Sequence, residues 1–241
     1  MKFILNFTIL FLLFCKINII AQDNKNIIYN YGLTKGSDIT KIYLTIDLCP
    51  NKNGLFEEAL FVELIELSKK KQVPININIA ITALWIKQHP QELEKLLQWE
   101  KQQYFNITLI NHSYHHYYNS SLDNENNFML NKKFNPKEKI IENYNFMISK
   151  NLQPSRFFRF PGLISSDKLI NIVKELNLIS LGAETWLTKT NGKFKGGDII
   201  LIHGNGGEAL GVKLFLKNLR NNEFNNFTFE SVNHLISLGS Q

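Results

Sequence analysis

The chain has 241 residues, a formal net charge of +6 and a hydrophobic content of 44%. That length and apolar share support one large domain with a sizeable core and exclude a disordered chain. Two cysteines, Cys15 and Cys49, and the lack of a basic run interleaved with aromatics exclude a disulfide-stapled scaffold and argue against a nucleic-acid partner.

The first 21 residues stand apart. Lys2 precedes an almost wholly apolar run from Phe3 to Cys15, and the polar stretch Gln22-Asp23-Asn24-Lys25-Asn26 follows Ala21. This is the pattern of a secretory signal peptide cleaved after Ala21. Asn6 and Lys16 leave too short an apolar run for a spanning helix, so no membrane span is expected after processing. Phe14 stands where a lipoprotein cysteine at Cys15 would need a small residue. Loss of residues 1–21 removes Lys2 and Lys16 and lowers the formal charge from +6 to +4. That mild excess suits an anionic polymer or an envelope surface and equally serves solubility. The expected location is secreted, periplasmic or cell-envelope, with Cys49 as the remaining thiol.

Residues 22–39 read as a lead-in to a domain over 40–241. Residues 41–47 read as a buried strand. Apolar residues at helical spacing over 54–71, ending in Lys69-Lys70-Lys71, predict a helix whose basic end suits its dipole. Strict alternation over 75–81 predicts a strand, and 90–101 a helix with Pro90 in its first turn. A third strand is expected over 106–111. The polar, Asn-rich stretch 117–134 reads as a long surface loop. Asn135-Pro136 opens a helix to about 150, with Asn135 as its cap. A short strand over 156–160, a helix capped by Ser165-Ser166-Asp167, and strands over 178–182 and 198–203 follow. A helix over 210–219, a last strand near 227–229 and a terminal helix over 232–238 complete the chain. Such alternation implies a parallel sheet or barrel.

The most informative stretch is His112-Ser113-Tyr114-His115-His116, just after the third strand. On a helical turn, residues four apart are neighbours, and imidazole is the commonest metal ligand. The competing reading is a pair of surface histidines. Asp47, Arg159 and His203 likewise interrupt apolar strands at their C-terminal ends. In a parallel β/α barrel those ends share one rim, the rim that carries chemistry.

On these residues the chain resembles the polysaccharide deacetylases with the NodB-homology fold. The matching stretches are Thr45-Ile46-Asp47-Leu48, His112-Ser113-Tyr114-His115-His116, Arg159-Phe160-Pro161-Gly162, Glu184-Thr185-Trp186 and Leu201-Ile202-His203, in family order over about 40–238. The resemblance implies a single-domain α/β fold, a distorted (β/α) barrel. It implies an exported N-deacetylase acting on peptidoglycan or a chitin-like glycan. A divalent metal is implied, zinc first, with cobalt, nickel or manganese as alternatives. His112 and His116 are then the metal ligands, Asp47 the general base, Arg159 its orienting partner and His203 the general acid. Pro161, Gly162, Trp186 and Leu201 fall to substrate binding, with the Gly162 N–H facing the oxyanion. The family's second motif aspartate, a metal ligand, is Leu48 here. Cys49 is next to it, but adjacent residues on an extended segment point opposite ways, so a buried, inert cysteine is expected. His115 is a spare imidazole. The alternative reading is a catalytically silent glycan-binding module on the same fold.

Overall fold

The computed structural model describes residues 26–51 and 54–237. The expected signal peptide, residues 1–21, lies outside the described residues.

Among the described residues, ten strands and seven α-helices follow in the order β1 (Ile28–Tyr29), β2 (Lys41–Leu48), α1 (Glu58–Lys71), β3 (Ile75–Ile81), α2 (Ala83–Gln88), α3 (Pro90–Lys101), β4 (Phe105–Asn111), α4 (Pro136–Ser149), β5 (Pro154–Phe158), β6 (Ile164–Ser165), α5 (Asp167–Glu175), β7 (Ile179–Ser180), β8 (Thr185–Trp186), β9 (Ile199–His203), α6 (Ala209–Arg220), β10 (Thr228–Phe229) and α7 (His234–Ser237). The main sheet runs β7-β5-β4-β3-β2-β9-β8, with β10 added to β2, and every pairing in it is parallel. It curls into an open barrel of one domain.

Strand periodicity sorts the side chains. Ile42, Leu44, Ile46 and Leu48 of β2, with Ile75, Ile77, Ile79 and Ile81 of β3, pack outward against Leu60, Phe61 and Leu64 of α1. The alternate residues Tyr43 and Ala80 fill the interior with Ile110, Phe157, Ile199 and Leu201. The lead-in straps the open side. Its Gly182 N–H→Leu33 C=O, Leu33 N–H→Ser180 C=O and Ile199 N–H→Thr34 C=O bonds bridge the β7 and β9 regions, and so cover an edge that would otherwise be unpaired.

Side-chain caps set the starts of α4 and α5. Asn135 accepts from the Lys137 and Glu138 N–H groups, and Ser166 from Leu169 N–H. Three expectations need correction. Helix α1 begins at Glu58, not at 54: Gly54 takes a left-handed φ of +56°, and Glu57 N–H donates to Gly204 C=O at 3.0 Å. Helix α2 was not expected; the Thr82 hydroxyl caps it by accepting from Trp85 N–H at 3.1 Å. The stretch 117–134 is a surface loop only in part. Residues 118–126 lie almost wholly exposed, as expected, but 127–131 fold inward, and Phe128, Met129 and Leu130 join a buried cluster with Ile140, Phe158 and Phe160. Its asparagines are structural. Fully buried Asn127 ties Asn119, Leu122 and Asp123 through its side chain.

Candidate active site

The strands deliver the expected residues to one end of the barrel. Asp47 ends the inward face of β2 and lies in register with His203 of β9. Arg159 follows β5 directly, with its backbone N–H on Asn111 C=O of β4. His112 follows β4.

Arg159 is fully buried. Its Nη1 donates to Asp47 Oδ1 at 2.7 Å and to the Thr45 hydroxyl at 2.8 Å, and Nη2 donates to Gly182 C=O at 2.9 Å. Burial alone would raise the Asp47 carboxyl. The guanidinium outweighs it and holds Asp47 below the ordinary carboxylate range. Such a pair fixes a charge in a dry place, where either partner alone would be strongly disfavoured.

The histidine pair meets without a helix. Ser113 and His116 both take left-handed φ values, +63° and +47°, and the turn they make brings the two rings to a centroid distance of 4.9 Å. The expected helical turn is therefore absent, while the proximity it was to supply is present. The Asn111 side-chain oxygen accepts from Ser113 N–H at 3.0 Å and is itself held by Asn143. His112 Nδ1 bonds Arg159 C=O at 2.9 Å, which makes Nδ1 the protonated nitrogen. Its Nε2 is left as a buried lone pair with no hydrogen-bond partner among the described residues, 3.6 Å from Asp47 Oδ2. Burial lowers the pKa of both rings, that of His116 to about 3, so both stay neutral as ligands require.

Cys49 corrects the expectation of a sulfur turned away. Counted from Asp47, it is two residues on and shares that residue's face, while Leu48 is the residue turned outward, against Phe61 and Leu60. A donor atom from each of Cys49, His112 and His116 lies within 4.8 Å of the others. Tetrahedral zinc with two nitrogens and one sulfur separates such donors by roughly 3.3–3.6 Å, so about 1 Å of contraction would seat an ion. His115 is outside this set; its ring stacks on Phe134. Burial and the Asp47 charge raise the Cys49 thiol in the metal-free protein.

His203 stands on the wetter side. Its Nδ1 contacts Glu208 Oε2 at 3.1 Å, and the same oxygen accepts from Trp186 Nε1 at 2.6 Å. Burial opposes ionisation of Glu208, yet these bonds leave its carboxyl below the usual glutamate range. Sequence reasoning missed Glu208 and aligned Glu184 near this place instead. Glu184 accepts from the Thr34 hydroxyl at 2.8 Å and has no recorded contact with His203.

An open cleft of about 740 Å³ lies over these groups, lined by Cys49, His116, Tyr118, Gly162, Trp186, His203 and Glu208 among others. Asp47 and His112 sit just below its floor. Pro161 and Leu201 are buried and do not line it. Gly162 has φ +63°, and a Cβ there would come within 2.6 Å of the Phe128 ring, so the inward-folded loop occupies the space of a side chain.

No protein-family model matches the chain. Solved structures do match it. A family 4 carbohydrate esterase from Bacillus subtilis is similar with a TM-score of 0.58 at 16% identity, over 88% of this chain and 87% of that one. A peptidoglycan N-acetylglucosamine deacetylase gives 0.59 at 14% identity, over 86% and 92%. A family 4 pseudoenzyme from Bacillus anthracis gives 0.57 at 14% identity, over 86% and 69%. The chain thus has the NodB-type distorted barrel of the family 4 carbohydrate esterases.

Proposed function

We propose that the chain is an exported, metal-dependent carbohydrate deacetylase that hydrolyses N-acetyl groups of a glycan, peptidoglycan or a chitin-like polymer. The observation that supports this best is a convergence under one open cleft. A buried Asp47–Arg159 pair, two neutral imidazoles with one orphaned lone pair, and an imidazole–carboxylate pair lie together there. Export rests on the pattern of residues 1–21.

His112 and His116 would hold the ion, zinc by preference. When bound, the ion polarises the acetamide carbonyl and lowers the pKa of a bound water toward ~7 in favourable zinc sites. Asp47 receives the proton of the attacking water at Oδ2, because Oδ1 is engaged by Arg159. Arg159 keeps that carboxylate ionised and aimed. The Gly162 N–H receives the developing oxyanion, a contact whose loss typically costs roughly 3–4 kcal/mol. His203 delivers a proton from Nε2 to the leaving amine nitrogen while Glu208 holds Nδ1. Trp186 walls the groove, with Pro161 and Leu201 packed beneath.

The test is acetate release from N-acetylglucosamine oligomers and from peptidoglycan, with protein stripped by a chelator and then reloaded with zinc. Release that stops on stripping and returns on reloading supports the reading. Glycan binding without acetate release favours the silent module, which Leu48 and the pseudoenzyme of the same fold also favour.

A further inference from the structure

We propose that Cys49 completes the metal site as a thiolate, so that one sulfur and two imidazoles hold the ion. This rests on the deacetylase reading above only in taking His112 and His116 as ligands. The position expected to supply a carboxylate cannot do so: Leu48 is fully buried among Ile46, Phe61 and Leu60, on the outer face of β2.

Four observations converge on the sulfur. Its strand position puts it on the same face as Asp47, and its Sγ shares the 4.8 Å donor set with the two histidines. Asn205 Nδ2 donates to Sγ at 3.0 Å and to Cys49 C=O at 2.8 Å. Asn205 is itself fixed, its Oδ1 accepting from Gly207 N–H and its carbonyl from Asn51 Nδ2, both at 3.0 Å. A positioned N–H donor on a ligand atom is what orients and stabilises a coordinating group. Independently, His112 Nε2 is a buried lone pair aimed into the same space with nothing to accept. Finally, Cys49 and His116 line the cleft, so a fourth position faces substrate. Three protein ligands and one open position is the catalytic zinc pattern.

Coordination forms a metal–sulfur bond and releases the thiol proton to solvent, with no change of oxidation state. A thiolate selects a borderline-soft ion. Zinc and cobalt should therefore bind far better than magnesium or manganese.

The experiment is a cobalt(II) titration of the reduced full-length protein, carried in a Cys15→Ser background so that Cys49 is the one thiol present. The expected result is stoichiometric binding with a sulfur-to-cobalt charge-transfer band in the near ultraviolet. Cys49→Ser should lose the band and bind at least tenfold more weakly. Cys49→Asp should bind cobalt without the band, and His112→Ala should not bind. Circular dichroism verifies the fold of each variant. Tight binding without the band, undiminished in Cys49→Ser, overturns Cys49 as a ligand and leaves the histidine pair standing. No binding by the folded parent protein overturns both.

Discussion

The two walls of the site are built by opposite strategies. On one, Asp47, Arg159 and His112 are almost wholly sealed from water, and fixed hydrogen bonds hold Asp47 Oδ1, both terminal nitrogens of Arg159 and His112 Nδ1. On the other, His203 and Glu208 keep 17% and 22% of their side-chain surface exposed. The dry wall fixes charge states by desolvation and a counter-charge; the wet wall leaves an imidazole free to exchange protons with solvent. A base that must stay ionised and ligands that must stay neutral suit the first environment. A group that must regain a proton every turnover suits the second. Substitutions in the dry wall should therefore damage stability and activity together, and those in the wet wall activity alone.

The sharpest break is Arg159→Ala. It leaves a buried carboxylate unpaired, and a loss of about 3–5 kcal/mol in denaturant stability is expected. If the variant folds, the acidic limb of its pH–rate profile should move upward, because Asp47 then takes a proton more readily. His203→Ala should cut acetate release by roughly 10²–10⁴-fold and remove the alkaline limb. Its melting temperature should barely move; a large drop would erase the contrast between the walls.

The contrast also sets the pH dependence of stability. In the metal-free protein, burial holds His112 and His116 neutral below their ordinary 6.5. The unfolded chain takes up these protons first as pH falls. Their contribution is present above about 6.5 and is lost on acidification, at about 1.4 kcal/mol per pH unit for each histidine. Glu208, with a depressed carboxyl, begins to matter only below its ordinary 4.5. Denaturant midpoints should thus fall already between pH 6.5 and 5, and a flat profile there would count against buried neutral histidines. The mildest change, Glu208→Gln, should lower the rate roughly tenfold with KM unchanged. A merely structural glutamate would leave the rate unchanged.

What was legible in the sequence was the strand-borne skeleton of both walls. Apolar strands ending in Asp47, His112, Arg159 and His203 announce a shared rim, because parallel strands leave their C-terminal ends on one side. The facing of Cys49 was misread by counting from Leu48, although alternation from Asp47 gives it correctly. The histidine turn depends on left-handed backbone at Ser113 and His116, which no residue pattern there advertises. Glu208 follows the run Gly204-Asn205-Gly206-Gly207, which has no periodicity to place it. The inward fold of 127–131 was hidden by the surrounding asparagines, whose side chains satisfy the loop backbone, although Phe128-Met129-Leu130 marked a segment that needed burial.

The most direct test is Asp47→Asn in zinc-loaded protein, with acetate release and glycan binding measured side by side. This substitution keeps the shape of the side chain and removes its base. The account predicts a rate lower by roughly 10²–10⁴-fold with binding nearly unchanged. Acetate release at the parent rate would contradict it and make Asp47 a structural partner of Arg159 alone.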